Sequence, residues 1–122
     1  LEAATKCKSS NIKIIMGAPN LVRGGSHSGN VSAQSLIDKD LLDILSSDYV
    51  PSSLMMAEIM WGIKSNNLPK SIAAVTANPC KVTGLNDRGI IKEGLKADLV
   101  RLSIKKDLPI IRKVWANGRE VA

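Results

Sequence analysis

Two short apolar runs, the first of them rich in β-branched residues, constrain the fold of this chain most. The first is IKIIMGAP (12–19) and the second is LLDILSSD (41–48). Each has the length of a buried strand, and each ends in residues that favour a loop. Between them lies a short helical stretch that Ser32 can cap. The pattern therefore predicts an α/β fold in which the two strands run parallel.

Helices are predicted on both sides of this unit. Residues 2–9 have helical composition. Pro51, with Ser52 or Ser53 as the N-cap, opens a helix that has a wide apolar face. The residues that we expect on that face are Leu54, Ile59, Met60 and Ile63.

The segment LPKSIAAVTANP (68–79) predicts another helix, with Pro69 in its first turn. The dipeptide Asn78-Pro79 is expected to end that helix, because the residue before a proline disfavours helical dihedrals.

After Gly84 the pattern changes to short β-type runs broken by single glycines. Asn117-Gly118 separates two such runs, and this dipeptide is typical of a two-residue hairpin turn, which needs positive φ at both positions. We therefore predict a small antiparallel β unit at the C-terminal end of the sequence.

The charge pattern argues against nucleic acid as a partner. The net charge of +6 is uneven, because residues 1–62 sum to about −1 and residues 63–122 to about +7. The basic side chains are nevertheless scattered and have no stacking aromatics among them, which favours a solvated surface. No apolar run is long enough for a transmembrane helix, and no signal peptide is visible. We expect a cytoplasmic protein without a membrane or nucleic-acid partner.

Polar side chains follow both predicted strands, where ligands bind in parallel α/β folds. The loop after the first strand contains Arg23, Ser26, His27, Ser28 and Asn30, among glycines that let backbone N–H groups approach an anion. An arginine fork suits phosphate oxygens. Asp48 follows the second strand and has three possible roles: helix cap, metal ligand or general base. Neither GxxxxGK[ST] nor GxGxxG is present.

These residues resemble a known family. MGAPNLVRGGSHSGNVSA (16–33) and LLDILSSDYVPSSL (41–54) are similar to the C-terminal part of the diphosphatases of phosphonate metabolism, which serve the carbon–phosphorus lyase pathway. TANPCKVTGLNDRGIIKEGLKADLV (76–100) resembles the ending shared by the whole amidohydrolase superfamily. The resemblance covers essentially the entire chain, and the glycine-rich loop and SSDY are its most specific parts.

The resemblance implies a (β/α)8 barrel joined to a small β-sandwich. Residues 1–84 would then form the last two β/α units of the barrel, with 12–16 as strand seven and 41–47 as strand eight. Residues 85–122 would supply the C-terminal strands of the sandwich.

The resemblance also implies an activity. Such enzymes hydrolyse ribose 1-methylphosphonate 5-triphosphate and release pyrophosphate, using a divalent metal for which we expect zinc or manganese. Asp48 matches the strand-eight aspartate of the superfamily, which binds metal and takes a proton from the attacking water. We assign binding of the phosphorylated ribose substrate to the loop residues Arg23, Ser26, His27, Ser28 and Asn30.

The sequence departs from the superfamily pattern in two respects. It has one histidine and no H-x-H pair, and 122 residues are about half of what a (β/α)8 barrel needs. We therefore expect a C-terminal fragment that is inactive alone and holds no metal. Its open strand edges predict a homo-oligomer, a strand swap or a repacked arrangement.

Two other functions are compatible with the sequence. The general amidohydrolase ending also allows a dihydroorotase-like enzyme that acts on a cyclic amide. A small non-catalytic module that binds an anion or a partner protein through the glycine loop is the other alternative.

Overall fold

The computed structural model describes residues 1–26 and 29–122, which form a mixed α/β chain with two small sheets. The helices in this part are α1 (Glu2–Ser9), α2 (Ala18–Val22), α3 (Ala33–Asp38), α4 (Ser53–Lys64), α5 (Leu68–Ala73) and α6 (Ala77–Thr83). The strands are β1 (Ile15–Gly17), β2 (Ile44–Ser46), β3 (Leu99–Lys105), β4 (Leu108–Ala116) and β5 (Arg119–Glu120). None of these helices is both long enough and apolar enough to cross a membrane.

The first sheet pairs β1 with β2 in parallel, as the two apolar runs predict. Ile15 pairs with Ile44 and Gly17 with Ser46, so both strands are shorter than the runs that contain them. Asp43 joins the two chain segments that lead into β1 and β2. Its carboxylate accepts hydrogen bonds from the backbone N of Ile14 at 3.0 Å and from Lys13 Nζ at 3.1 Å. The two C-terminal strand ends therefore lie side by side at the opposite edge.

Helices α2, α3 and α4 pack around this sheet and form the core. Its largest buried members include Leu21, Leu36, Leu45 and Trp61. Gly62 permits the close contact of α4 with α5, since a Cβ there would lie 2.5 Å from Ser71 Oγ.

The buried face of α4 differs from the prediction. Ile59 is buried, but Met60 and Ile63 are more than a third exposed, while Ala57 and Trp61 are buried. The helix is apolar nearly all round, so the sequence pattern could not distinguish its two faces. The buried face therefore contains Ala57 and Trp61 in place of Met60 and Ile63.

One predicted helix end was wrong, and the predicted N-cap of α4 is confirmed in position only. Asn78-Pro79 lies in the first turn of α6 and does not end a helix, since the first-turn N–H groups have no intrahelical partner and proline is tolerated there. Ser52 is the N-cap residue of α4 but its side chain makes no capping bond. Ser53 Oγ instead donates to the carbonyl oxygen of Val50 at 2.6 Å.

The second sheet is antiparallel, in the order β3-β4-β5, which confirms the predicted β unit. Asn117 and Gly118 connect β4 to β5 with φ of 51° and 79°, the positive values that the dipeptide predicts. The β-type runs before residue 99 are not strands in the structure. Ion pairs of Asp87 with Lys96, at 3.0 Å, and of Arg88 with Asp98, at 3.5 Å, link this segment internally.

Candidate functional site

The parallel pairing of β1 and β2 places two polar loops next to each other. Helix α2 and Arg23 follow β1, and Asp48 and Tyr49 follow β2. Between the loops lies a small open cavity of about 160 Å³. Its lining residues are Pro19, Asn20, Arg23, Gly25, Ser26, Asp48 and Tyr49.

Asp48 lies against the end of β1. A Cβ on Gly17 would lie 2.7 Å from Asp48 Oδ2 and 3.2 Å from Asp48 Cβ, so only glycine leaves room for this side chain. Asp48 itself has a φ of 53°, a left-handed conformation that aspartate adopts more readily than most residues. The residue is exposed, so its carboxylate is available to a ligand in the cavity.

Arg23 and Tyr49 join the two loops directly. Arg23 Nη1 donates a hydrogen bond to Tyr49 Oη at 3.1 Å, and both residues are exposed at the cavity. The bond restrains the guanidinium beside the carboxylate of Asp48. In this cavity the arginine can bind an anion, and the aspartate can accept a proton.

Asn20 connects the cavity to the next helix. Its Oδ1 accepts a hydrogen bond from the backbone N of Ala33 at 2.8 Å, at the start of α3. Ser32 caps the same helix by accepting from the backbone N of Ser35 at 3.1 Å. The bond between Asn20 and Ala33 therefore ties the two ends of the glycine-rich loop to each other.

The structure brings together three of the residues that the sequence predicts for the site, Arg23, Ser26 and Asp48. Asn30 is not among the lining residues, and the predicted substrate ligands His27 and Ser28 lie outside the described residues. Tyr49 and Asn20 were not predicted as site residues. The signal for Tyr49 was its position directly after Asp48, and that for Asn20 was its place in the loop that follows β1.

The cavity is small for a complete ligand. A volume of 160 Å³ corresponds to about five water molecules at their share of liquid volume, which suits a phosphate group and not a whole nucleotide. The cavity therefore has the size of a subsite that receives one charged part of a larger molecule.

These residues do not form a complete metal site. Among the residues that the structure describes, no three His, Cys, Asp or Glu side chains lie close enough to hold an ion together. Zinc takes about four ligands, and magnesium or calcium takes about six or more. Asp48 can supply one carboxylate ligand, and the described part of the cavity contains no second carboxylate and no imidazole.

Comparison with known proteins places the chain in a family. The model of the amidohydrolase family matches residues 5–121. The chain belongs to the amidohydrolase family. Members of this family generally use divalent metals. This membership confirms the resemblance drawn from the glycine-rich loop, the SSDY motif and the C-terminal ending.

A curated relative is a diphosphatase of the kind that the glycine-rich loop resembles. The chain is 48% identical over 124 aligned positions to the alpha-D-ribose 1-methylphosphonate 5-triphosphate diphosphatase of Escherichia coli strain K12. The alignment covers 98% of this chain and 32% of the relative, so the chain spans about a third of that protein's length. No solved structure matches the chain.

Proposed function

We propose that this chain is the part of a metal-dependent diphosphatase that supplies the strand-end aspartate and a phosphate-binding loop. The proposed substrate is ribose 1-methylphosphonate 5-triphosphate. The observation that supports the proposal is the 48% identity to an enzyme named for that reaction, in a chain that places Arg23 and Asp48 at one cavity. The chain alone is inactive in this proposal, and the complete enzyme acts in the cytoplasm.

The proposed reaction is hydrolysis of a phosphoric anhydride. Water adds across the bond between the α- and β-phosphates of the substrate, which gives the 5-phosphate and pyrophosphate. The proton that leaves the attacking water passes to the carboxylate of Asp48, which is the proposed catalytic base. Asp48 is also the proposed ligand of a divalent metal, zinc or manganese, whose other ligands lie outside the described residues of this chain.

The loop after β1 is proposed to bind the phosphates. Arg23 offers a planar fork of N–H donors, and its bond to Tyr49 restrains that fork at the cavity. Ser26 lines the same cavity and can donate its hydroxyl proton. The proposed substrate ligands are Arg23, Ser26, His27, Ser28 and Asn30.

The proposed architecture follows from the family. We assign residues 1–84 to the last two β/α units of a barrel, with β1 and β2 as strands seven and eight, and residues 85–122 to a small β-sandwich. The parallel pairing of β1 with β2 and the antiparallel order of the second sheet support this assignment.

A chimeric enzyme tests the proposal. The third of the E. coli relative that aligns with this chain is replaced by the chain itself, and pyrophosphate release is measured with added Zn²⁺ or Mn²⁺. We expect an active chimera in which Asp48→Asn lowers kcat by about 10²-fold or more, the usual cost of losing a general base. Arg23→Gln is expected mainly to raise KM.

Asp107→Asn is the matched control. Asp107 is also exposed and left-handed, with a φ of 62°, but it lies in the β3–β4 turn away from the cavity. A folded chimera whose pyrophosphate release is unaffected by Asp48→Asn would contradict the proposal. Hydrolysis of dihydroorotate in place of pyrophosphate release would favour the cyclic-amide alternative.

A further inference from the structure

A short turn presents the two residues that line the cavity after β2. The backbone N of Val50 donates to the carbonyl oxygen of Ser47 at 3.2 Å, so Asp48 and Tyr49 are the central residues of a turn. Ser53, the first residue of α4, is only 6% exposed, and its hydroxyl donates to the carbonyl oxygen of Val50 at 2.6 Å. The side chains of Asp48 and Tyr49 therefore start from a backbone that is fixed at its base.

The arginine across the cavity also starts from a fixed backbone. Arg23 is the C-cap residue of α2, and its backbone N donates to the carbonyl oxygen of Pro19 at 3.0 Å. Pro19 is itself buried. The bond of 3.1 Å from Arg23 Nη1 to Tyr49 Oη is therefore supported by the backbone at both ends.

The chemistry of this bond leaves the phenol hydrogen for another acceptor. A guanidinium has N–H donors and no acceptor, whereas a phenol can donate and accept at the same time. In the bond between the two side chains Arg23 donates and the oxygen of Tyr49 accepts. The O–H of Tyr49 therefore cannot be donated to Arg23, and Tyr49 lines the cavity that suits a phosphate group.

We propose that the Tyr49 hydroxyl is a second ligand for the phosphate group that Arg23 binds. The phenol donates its hydrogen to one phosphate oxygen, and the guanidinium donates to another. A phosphate suits this pair because its tetrahedral oxygens point in several directions, and the cavity of about 160 Å³ has room for one such group. The inference rests on the proposed function, since it adds a substrate-binding residue at the same cavity.

The exposure of Tyr49 separates this role from a role in folding. The residue is 65% exposed and is not part of the buried core. Tyr49→Phe keeps the ring and removes only the hydroxyl, so we expect the variant to fold normally. Circular dichroism verifies the fold of this variant and of those below.

Phosphate affinity of the chimeric enzyme tests the proposal. Isothermal titration calorimetry with inorganic phosphate measures binding without any reaction. Tyr49→Phe is expected to raise the dissociation constant for phosphate about tenfold, the usual cost of one hydrogen bond to a charged group. In turnover, KM should rise while kcat changes by less than about threefold, the pattern of a lost binding interaction.

Ser103→Ala is the matched control. The hydroxyl of Ser103 also accepts a hydrogen bond from an arginine, Arg112 Nε at 2.9 Å, but Ser103 lies on β3 and does not line the cavity. Its substitution should leave both the dissociation constant for phosphate and KM unchanged.

An Arg23→Gln background tests whether both side chains bind the same phosphate. Groups that share a partner are energetically coupled, so Tyr49→Phe should weaken phosphate binding less in this background than in the unsubstituted chimera. The same loss in both backgrounds would contradict the proposal.

The two readouts separate this inference from the proposed reaction. A chimera that releases pyrophosphate, but whose Tyr49→Phe variant binds phosphate as tightly as the unsubstituted chimera, would overturn the inference and leave the proposed function intact. A folded chimera that binds no inorganic phosphate would also overturn it. A tenfold loss of phosphate affinity in a chimera that releases no pyrophosphate would support the role of Tyr49 and contradict the proposed reaction.

Discussion

The contact between Gly17 and Asp48 sets the position of the candidate catalytic carboxylate. Gly17 has an ordinary φ of −69°, so alanine can adopt its backbone conformation, and only the close approach of the Asp48 side chain requires glycine. We expect Gly17→Ala to lower the free energy of unfolding by about 1–3 kcal/mol, the usual cost of an inserted methyl group in a tight contact. Urea denaturation measures this change.

The matched control for this substitution is Gly25→Ala. A Cβ on Gly25 would have no atom of the described residues within 4 Å, apart from its chain neighbours, and the residue has no positive φ. Its substitution should change stability by less than about 0.5 kcal/mol. The cost of Gly17→Ala should also disappear in an Asp48→Gly background, which has no side chain to displace. A cost that persists there would show that another contact is responsible.

Glu58 is the only acid in the apolar sequence of α4, and burial raises the pKa of its carboxyl to about 7. Because the folded chain holds this proton at a pH where the unfolded chain has lost it, the contribution of Glu58 to stability is greatest below pH 4.5 and falls as the pH rises towards 7. The rise of this pKa from 4.5 to about 7 corresponds to a loss of unfolding free energy on the order of 3 kcal/mol over that pH range.

Glu58→Gln should remove most of that pH dependence, and above pH 7 the variant should be the more stable protein. Chemical denaturation across this pH range measures the effect. Exposed Glu93 provides the control, since Glu93→Gln should leave the slope between pH 4.5 and 7 unchanged. If the unfolding free energy of Glu58→Gln fell with pH as steeply as that of the wild type, other groups would be responsible for the pH dependence.

At the scale of the elements, local patterns predicted the strands and hairpin well and the helix faces poorly. The β1–β2 pair and the Asn117-Gly118 turn depend on short apolar runs and on positive φ, for which the sequence has direct signals. The buried face of α4 depends on the close approach of α5 at Gly62, a tertiary contact with no sequence signal. Glu58 and Tyr49 were missed because their environments are created by other elements.

The N-caps of α3 and α4 also could not be told apart from the sequence. Sequence favoured serine caps for both α3 and α4, but only Ser32 accepts a bond from a backbone N–H, that of Ser35 at 3.1 Å, whereas Ser52 makes none. Ser32→Ala should therefore cost about 1 kcal/mol of unfolding free energy, the typical value of a serine cap. Ser52→Ala should cost little. Equal losses in thermal or urea denaturation would contradict the structure.

At the scale of the whole molecule, the described residues line a small polar cavity at the strand ends and an apolar groove of about 1090 Å³ between α4–α6 and β3–β4. The strand-end cavity follows from the parallel sheet and could be predicted in outline from Arg23, Ser26 and Asp48. The groove could not be predicted, because its walls are α4–α6 and β3–β4, which are distant in the sequence. Its composition, with the carboxyl of Glu58 among mostly apolar side chains, is visible only once the chain has folded.

The net charge of +6 determines how strongly the chain should bind DNA. Among the described residues, six basic side chains form ion pairs with acids distributed over the surface. Trp61 is buried, Trp115 is half-buried, and exposed Tyr49 bonds to Arg23. We therefore expect no specific binding of nucleic acid, which typically needs a basic stripe with several stacking aromatics. Anisotropy of a labelled DNA duplex should show only weak binding at 20 mM salt. At 150 mM salt the dissociation constant should exceed about 10 μM, because counterion release is the sole driving force. Lys105→Glu with Lys106→Glu should reduce the low-salt signal only modestly. Saturable binding below about 1 μM at 150 mM salt would require a specific nucleic-acid surface, and the charge argument would then be wrong.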